Sequence, residues 1–237
     1  MSKGPRDLRL YVGLWLAMAA VALVVAPAAS AHAIGGKDAA FVAATMGPDP
    51  FPFMYLGAKH MVTGYDHLAY LAGVIFFLYR MKDVLLYVSL FSLGHSTTLL
   101  LGVLLKIDVS AYLVDAVIGL SVCYKAFENL GGFRQLKLEI NPRIAVLAFG
   151  LVHGFGLATK LQELDLNPNG LVVNLISFNI GVEIGQLIAL SVILAAITLW
   201  RLTPSFARLA TAANALLFLV GVVLAGQQIA GYFITGG

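Results

Sequence analysis

Residues 57–73 read "GAKHMVTGYDHLAYLAG". His60, Asp66 and His67 stand there among residues apolar enough to enter a bilayer. Ionisable groups in such surroundings cost free energy. Where they occur inside a membrane, they usually face a bundle interior and mark a site or a pathway. The rest of the chain decides whether this stretch belongs to a membrane span.

The 237 residues are 60% hydrophobic and only 11% charged, with mean hydropathy +0.90. A soluble domain carries about 25% charged residues. These values describe an all-α integral membrane protein, of a length suited to one helical bundle. The net charge of +3 is small, and no Lys/Arg run is long enough for nucleic-acid binding. The single cysteine, Cys123, rules out a disulfide framework within one chain and a multi-thiolate metal site. It reads as a small buried hydrophobe.

Residues 1–31 read as an export signal. Lys3, Arg6 and Arg9 precede an apolar run, Pro27 breaks it, and Ala29-Ser30-Ala31 fits the small-x-small cleavage pattern. Residues 32–54 then form a flexible external segment, and 55–237 the membrane domain. Cleavage makes His32 the new N-terminus, where amine and imidazole together are an external metal collector. An uncleaved signal gives seven helices instead of six.

Six stretches are long enough to span: 55–79, 84–105, 110–130, 143–163, 170–200 and 206–234. Short connections imply antiparallel packing of neighbours. Arg80, Lys82, Arg134, Lys137, Arg143, Arg201 and Arg208 fall in alternate connections, and few basic residues fall in the others. The positive-inside rule puts that set in the cytoplasm and both mature termini outside. A bacterial inner membrane is the expected location.

Topology turns the polar residues into a depth map. At about 1.5 Å per residue from the outer end of each helix, His60 lies about 8 Å in, Asp66 and His67 about 17 Å, His95 and His153 about 15 Å, and Glu183 about 20 Å. Four helices thus bring ionisable groups to similar depth. His60, Thr63 and His67 share a helical stripe, and Asn179, Glu183 and Gln186 share another. Ser177, Gly181 and Gly185 form a small-residue ridge on the opposite face of that helix. Ser92 flanks His95. Imidazole with carboxylate suits Ni²⁺ and Co²⁺, and also Zn²⁺ and Cu²⁺. The expected metal ligands are His60, Asp66, His67, His95, His153 and Glu183. Asn179, Gln186, Ser92 and Thr63 are expected as supporting polar groups, and Glu128 as an inner exit ligand. Lys125, Lys160 and Glu163 read as snorkelling interface residues, and Asp115 as a group close to a loop.

His60-x5-Asp66-His67, "LGHSTTLLLG", "AFENLGG", "AFGLVHGFGLA" and "FNIGVEIGQL" resemble the second branch of the HupE/UreJ family. The likeness runs from about residue 55 to 200. It implies a small exported membrane protein acting as a nickel or cobalt permease. The first branch carries a motif with two histidines and a glutamate; here Phe149 and Gly156 stand at two of those places, and Val152-His153-Gly154 remains. The leading expectation is a permease for a divalent transition-metal cation, nickel first and cobalt next. Two other readings stand beside it: an accessory or metal-donor subunit of a larger membrane complex, and an intramembrane zinc-dependent hydrolase. The lipid bilayer and a metal ion are the expected partners, with a homo-oligomer or a larger complex left open.

Overall fold

The computed structural model describes residues 37–164 and 166–235. The expected signal peptide and His32 lie outside the described residues. The elements are helices: α1 (Lys37–Ala44), α2 (Pro50–Thr63), α3 (Tyr65–Ile75), α4 (Met81–Leu104), α5 (Ala111–Asn129), α6 (Gly132–Gln135), α7 (Pro142–Gln162), α8 (Leu171–Arg201) and α9 (Pro204–Thr235).

Among the described residues, α4, α7, α8 and α9 are long and apolar enough to cross a membrane. Two expected spans depart from that standard. α5 has 19 residues but carries Asp115, Lys125 and Glu128. The expected span 55–79 is broken into α2 and α3 at Gly64. Gly64 has ψ 98, an extended value that ends one helix and starts the next. Its N–H donates to His60 O (2.9 Å), and its own carbonyl accepts from the Leu68 N–H (3.0 Å). The external segment is also not uniformly flexible. Residues 37–44 form α1, with Val42 buried and the Phe41 ring 6.1 Å from that of Phe53.

Chain neighbours are not the main packing partners, which corrects the expectation of antiparallel adjacent pairs. α4 lies along α7, α2 along α8, and α5 along α9. The first two pairs run parallel. Gly94 meets Leu147 and Gly150, and Gly102 meets Ala158, so numbers rise together along α4 and α7. Likewise Met54 meets Gly181 and Ala58 meets Gly185 along α2 and α8. The small-residue ridge of α8 therefore packs as expected. α5 and α9 run antiparallel: Asn129 Nδ2 donates to Asn214 Oδ1 (2.8 Å), and the Cys123 thiol donates to Phe218 O (3.5 Å). Cys123 is buried, as its apolar setting implies. α7 is antiparallel to α5, with 115 opposite 160 and 121 opposite 153. Close approach at glycines, rather than sequence adjacency, sets the partners. Without a hydrophobic drive between helices in lipid, van der Waals contact decides.

α3 is short, and its last carbonyls need partners. Arg201 supplies them. Its Nη1 donates to Leu78 O (2.9 Å) and its Nη2 to Ile75 O (2.9 Å) and Phe76 O (2.5 Å). The guanidinium also lies 4.4 Å from the Tyr79 ring centre. A cation at a helix C-terminus opposes the negative end of the helix dipole. Arg201→Gln should lower stability by about 2 kcal/mol, the scale of a few charge-assisted bonds partly replaced by water. Unfolding by SDS titration in bicelles measures it, and a wild-type midpoint would show that the cap is dispensable.

Candidate metal centre

The break at Gly64 places polar residues from two helix ends side by side. His60 is in the last turn of α2, and Asp66 and His67 are in the first turn of α3. A helix N-terminus carries partial positive charge, which favours the Asp66 carboxylate there. A Cβ on Gly64 would lie 3.1 Å from His67 Nδ1 and 3.4 Å from Asp66 Oδ1, so the chain turns directly against this pair.

α4 and α7 bring His95 and His153 to the same place. A side chain on Gly154 would run into the His95 carbonyl oxygen and the Thr98 hydroxyl. Across that seam Thr98 Oγ1 donates to Leu151 O (2.6 Å). With the backbones this close, both imidazoles converge on His67. Ring centres lie 5.3 Å (His60), 5.5 Å (His95) and 4.8 Å (His153) from that of His67. His67 and His153 are wholly buried, and Asp66 is 3% exposed.

Two groups of potential ligands result. His60, His67 and His95 form one; Asp66, His67 and His153 form the other. Within each, one ligand atom per residue lies within 4.8 Å of the others. Donors bound to one ion at about 2.1 Å stand about 3–4 Å apart. Modest side-chain rotation thus brings either group onto an ion. Both groups contain His67. Its Nδ1 lies 3.1 Å from Asp66 Oδ1, the arrangement in which a carboxylate orients an imidazole and leaves Nε2 toward a metal. Phe91 and Tyr70 wall the cluster, with Phe91 5.0 Å and Tyr70 5.3 Å from the His153 ring centre.

The other expected site residues divide. Gln186 Nε2 donates to Ser92 Oγ (2.7 Å), joining α8 to α4 beside His95. Glu183 is half-buried next to Ser92 and belongs to neither ligand group. Asn179 is buried, and its Nδ2 donates to Leu175 O of its own helix (3.0 Å). Thr63 is exposed and donates to Lys59 O (2.8 Å), so it stands outside the cluster that His60 and His67 join. The break after it changes the helical phase. Glu128 accepts from Lys125 (2.7 Å), and Asp115 accepts from Lys160 (2.8 Å). Asp115 and Lys125 are less than a tenth exposed. These residues form interhelical or local ion pairs, where snorkelling side chains and a free exit ligand were expected. Pairing is the less costly state for charges drawn into a bundle.

One contributor escaped the sequence reading. Ser121 on α5 is wholly buried, and its Oγ lies 3.0 Å from His153 Nε2. A serine in an apolar helix carries no spacing signal of its own. Only the facing of α5 and α7 reveals it.

The profile of the family described as HupE / UreJ protein matches residues 36–236. No curated protein and no solved structure matches the chain.

Proposed function

Since the chain belongs to the HupE/UreJ family, which is associated with nickel and cobalt transport, we propose that it is a permease for a divalent transition-metal cation, with nickel the first substrate and cobalt the next. The observation that carries this reading is the pair of three-ligand groups meeting on His67. A permease needs sites that bind weakly and in sequence rather than one closed cage. Two incomplete groups sharing a ligand fit that need. His60, His67 and His95 receive the ion, and Asp66, His67 and His153 take it over. Two divalent ions on one imidazole would repel strongly, with a single carboxylate to offset them, so one ion occupies the pair at a time. Helix ends meeting at an ion site inside a bundle are a recurring device of transporters.

The membrane arrangement is six passes, with α2 and α3 together making the first. The helix directions support it: α2 runs parallel to α8, α4 to α7, and α5 antiparallel to α7 and α9, as six alternating passes require. The seven basic connection residues then share one side, the cytoplasm. Both mature ends lie outside a bacterial inner membrane. A reporter fused after Gly237 should be active outside and silent in the cytoplasm; the opposite result reverses the orientation.

Purified protein in proteoliposomes tests the function. Saturable nickel and cobalt uptake is expected, falling as pH falls, because protons and metal compete for the same imidazole lone pairs. Absence of uptake with transfer of bound metal to a partner complex would instead make the chain a metal donor. Tightly held stoichiometric zinc with lipid or amide hydrolysis would make it an enzyme.

A further inference from the structure

α5 and α7 meet in antiparallel register, with Asp115 opposite Lys160, Ile118 opposite Gly156 and Ser121 opposite His153. The Ser121 hydroxyl has two neighbours. Ile118 O lies 2.6 Å away and His153 Nε2 3.0 Å away. A hydroxyl has one proton and two lone pairs. Ile118 O can only accept, so at 2.6 Å it takes the proton. Toward the imidazole the serine oxygen is then an acceptor, and His153 must donate from Nε2–H. Nδ1 is left as the nitrogen that carries the lone pair.

We propose that Ser121 is a positioning residue that holds His153 in its Nε2–H form and so presents Nδ1 as the metal donor beside Asp66 and His67. This rests on the metal-permease reading for its purpose, though the hydrogen bond itself does not. The hydroxyl is well placed for the task. It is wholly buried, so water does not compete for the ring nitrogen. It is anchored to its own helix one turn back, so it fixes the ring's rotation as well as its proton. His67 is oriented by Asp66 on one side of the cluster and His153 by Ser121 on the other. The two shared-group imidazoles thus receive different orienting partners, a carboxylate and a neutral hydroxyl.

Partners of metal-bound histidines are worth about 10–100-fold in metal affinity. Ser121→Ala should weaken Co²⁺ binding by about that factor. Ser121→Thr keeps a hydroxyl that bonds the same helical carbonyl and should restore affinity to within about threefold of wild type. The deciding comparison is a double-mutant cycle. In a His153→Ala background, Ser121→Ala should cost nothing further. An equal loss in that background would mean that Ser121 only packs the helices, and the proposal fails. A metal-free reading stands beside it: the ¹⁵N spectrum of His153 in the apo protein should show the proton on Nε2. A proton on Nδ1 overturns the proposal even if cobalt binds. Cobalt binding absent from wild type, with the proton on Nε2, upholds the clamp and rejects the permease.

Discussion

Asp66→Asn folds and inserts as wild type does, yet loses most nickel and cobalt uptake. Asparagine preserves the shape of the side chain and its capacity to hydrogen-bond His67. What it removes is the one carboxylate in the two ligand groups. A divalent ion leaving water for a buried cluster gives up its hydration, and fixed negative charge is what offsets that cost. Asparagine also changes His67. Asp66 Oδ1 lies 3.1 Å from His67 Nδ1, and a carboxylate there fixes the tautomer and orientation of a ligating imidazole. An amide, which presents donors as well as an acceptor, fixes them less firmly. The expected loss is more than tenfold in uptake rate, equivalent to at least about 1.4 kcal/mol. His67→Ala, which strips a ligand from both groups, should be more severe; His60→Ala and His153→Ala each strip one. Uptake measured from pH about 5.5 to 8, the range over which imidazole changes charge, distinguishes the readings. Wild type should show a decline toward acid. Full and pH-independent uptake by Asp66→Asn would remove Asp66 from the metal site and take most of the permease reading with it.

The largest expected effect on stability comes from Gly154→Leu. A side chain at 154 would meet the His95 carbonyl and the Thr98 hydroxyl in the α4–α7 seam. Neither obstacle yields by a rotamer change, because one is backbone and the other is bonded across the seam to Leu151 O. The helices must separate. Overpacking typically costs 1–3 kcal/mol, and a clash with helix backbone belongs at about 3 kcal/mol or above. The same separation moves His95 away from His153, so protein that does fold should bind metal poorly. Gly226→Leu is the control. Nothing lies within 4 Å of a Cβ there, and its stability should stay within about 0.5 kcal/mol of wild type. Equal destabilisation of both variants would mean that leucine is disfavoured at any such glycine and that the seam is not special.

Much of this architecture is readable in the chain, because hydropathy reports helix length directly. The expected stretches 84–105, 143–163, 170–200 and 206–234 lie within a few residues of α4, α7, α8 and α9. The ring of His60 stands 5.3 Å from that of His67 although arithmetic puts it about 9 Å nearer the outer end, but convergence of His67, His95 and His153 is readable, since depth along a helix follows from its rise per residue. The break at Gly64 is not. Glycine is common in membrane helices, and an unbroken apolar run hides a local turn. Missing the break also misplaces Thr63, whose phase relative to His67 is correct only in a continuous helix. Pairing is hidden for a different reason. The partner of Gly94 is 56 residues away at Gly150, and no periodicity within α4 encodes it. For the same reason Asp115 and Lys160 look like separate rim charges until α5 faces α7.

The Arg201 clamp on α3 also sets how far synthesis must run before the first pass has all its bonds. Arg201 lies 125 residues downstream of the Phe76 carbonyl it holds. Asn174, whose side chain accepts from the Asp49 N–H at the start of α2, is equally distant from it. At about 5–20 residues per second of synthesis, the first pass waits roughly 6–25 s for its partner. During that interval α4, α5 and α7 are made and can pair among themselves. His60, Asp66 and His67 ride on the waiting segment. A chain cut before residue 171 would keep every residue of both ligand groups yet lack the helix that lies along α2 and the guanidinium that caps α3, leaving the first pass held by α5 and the ring cluster alone.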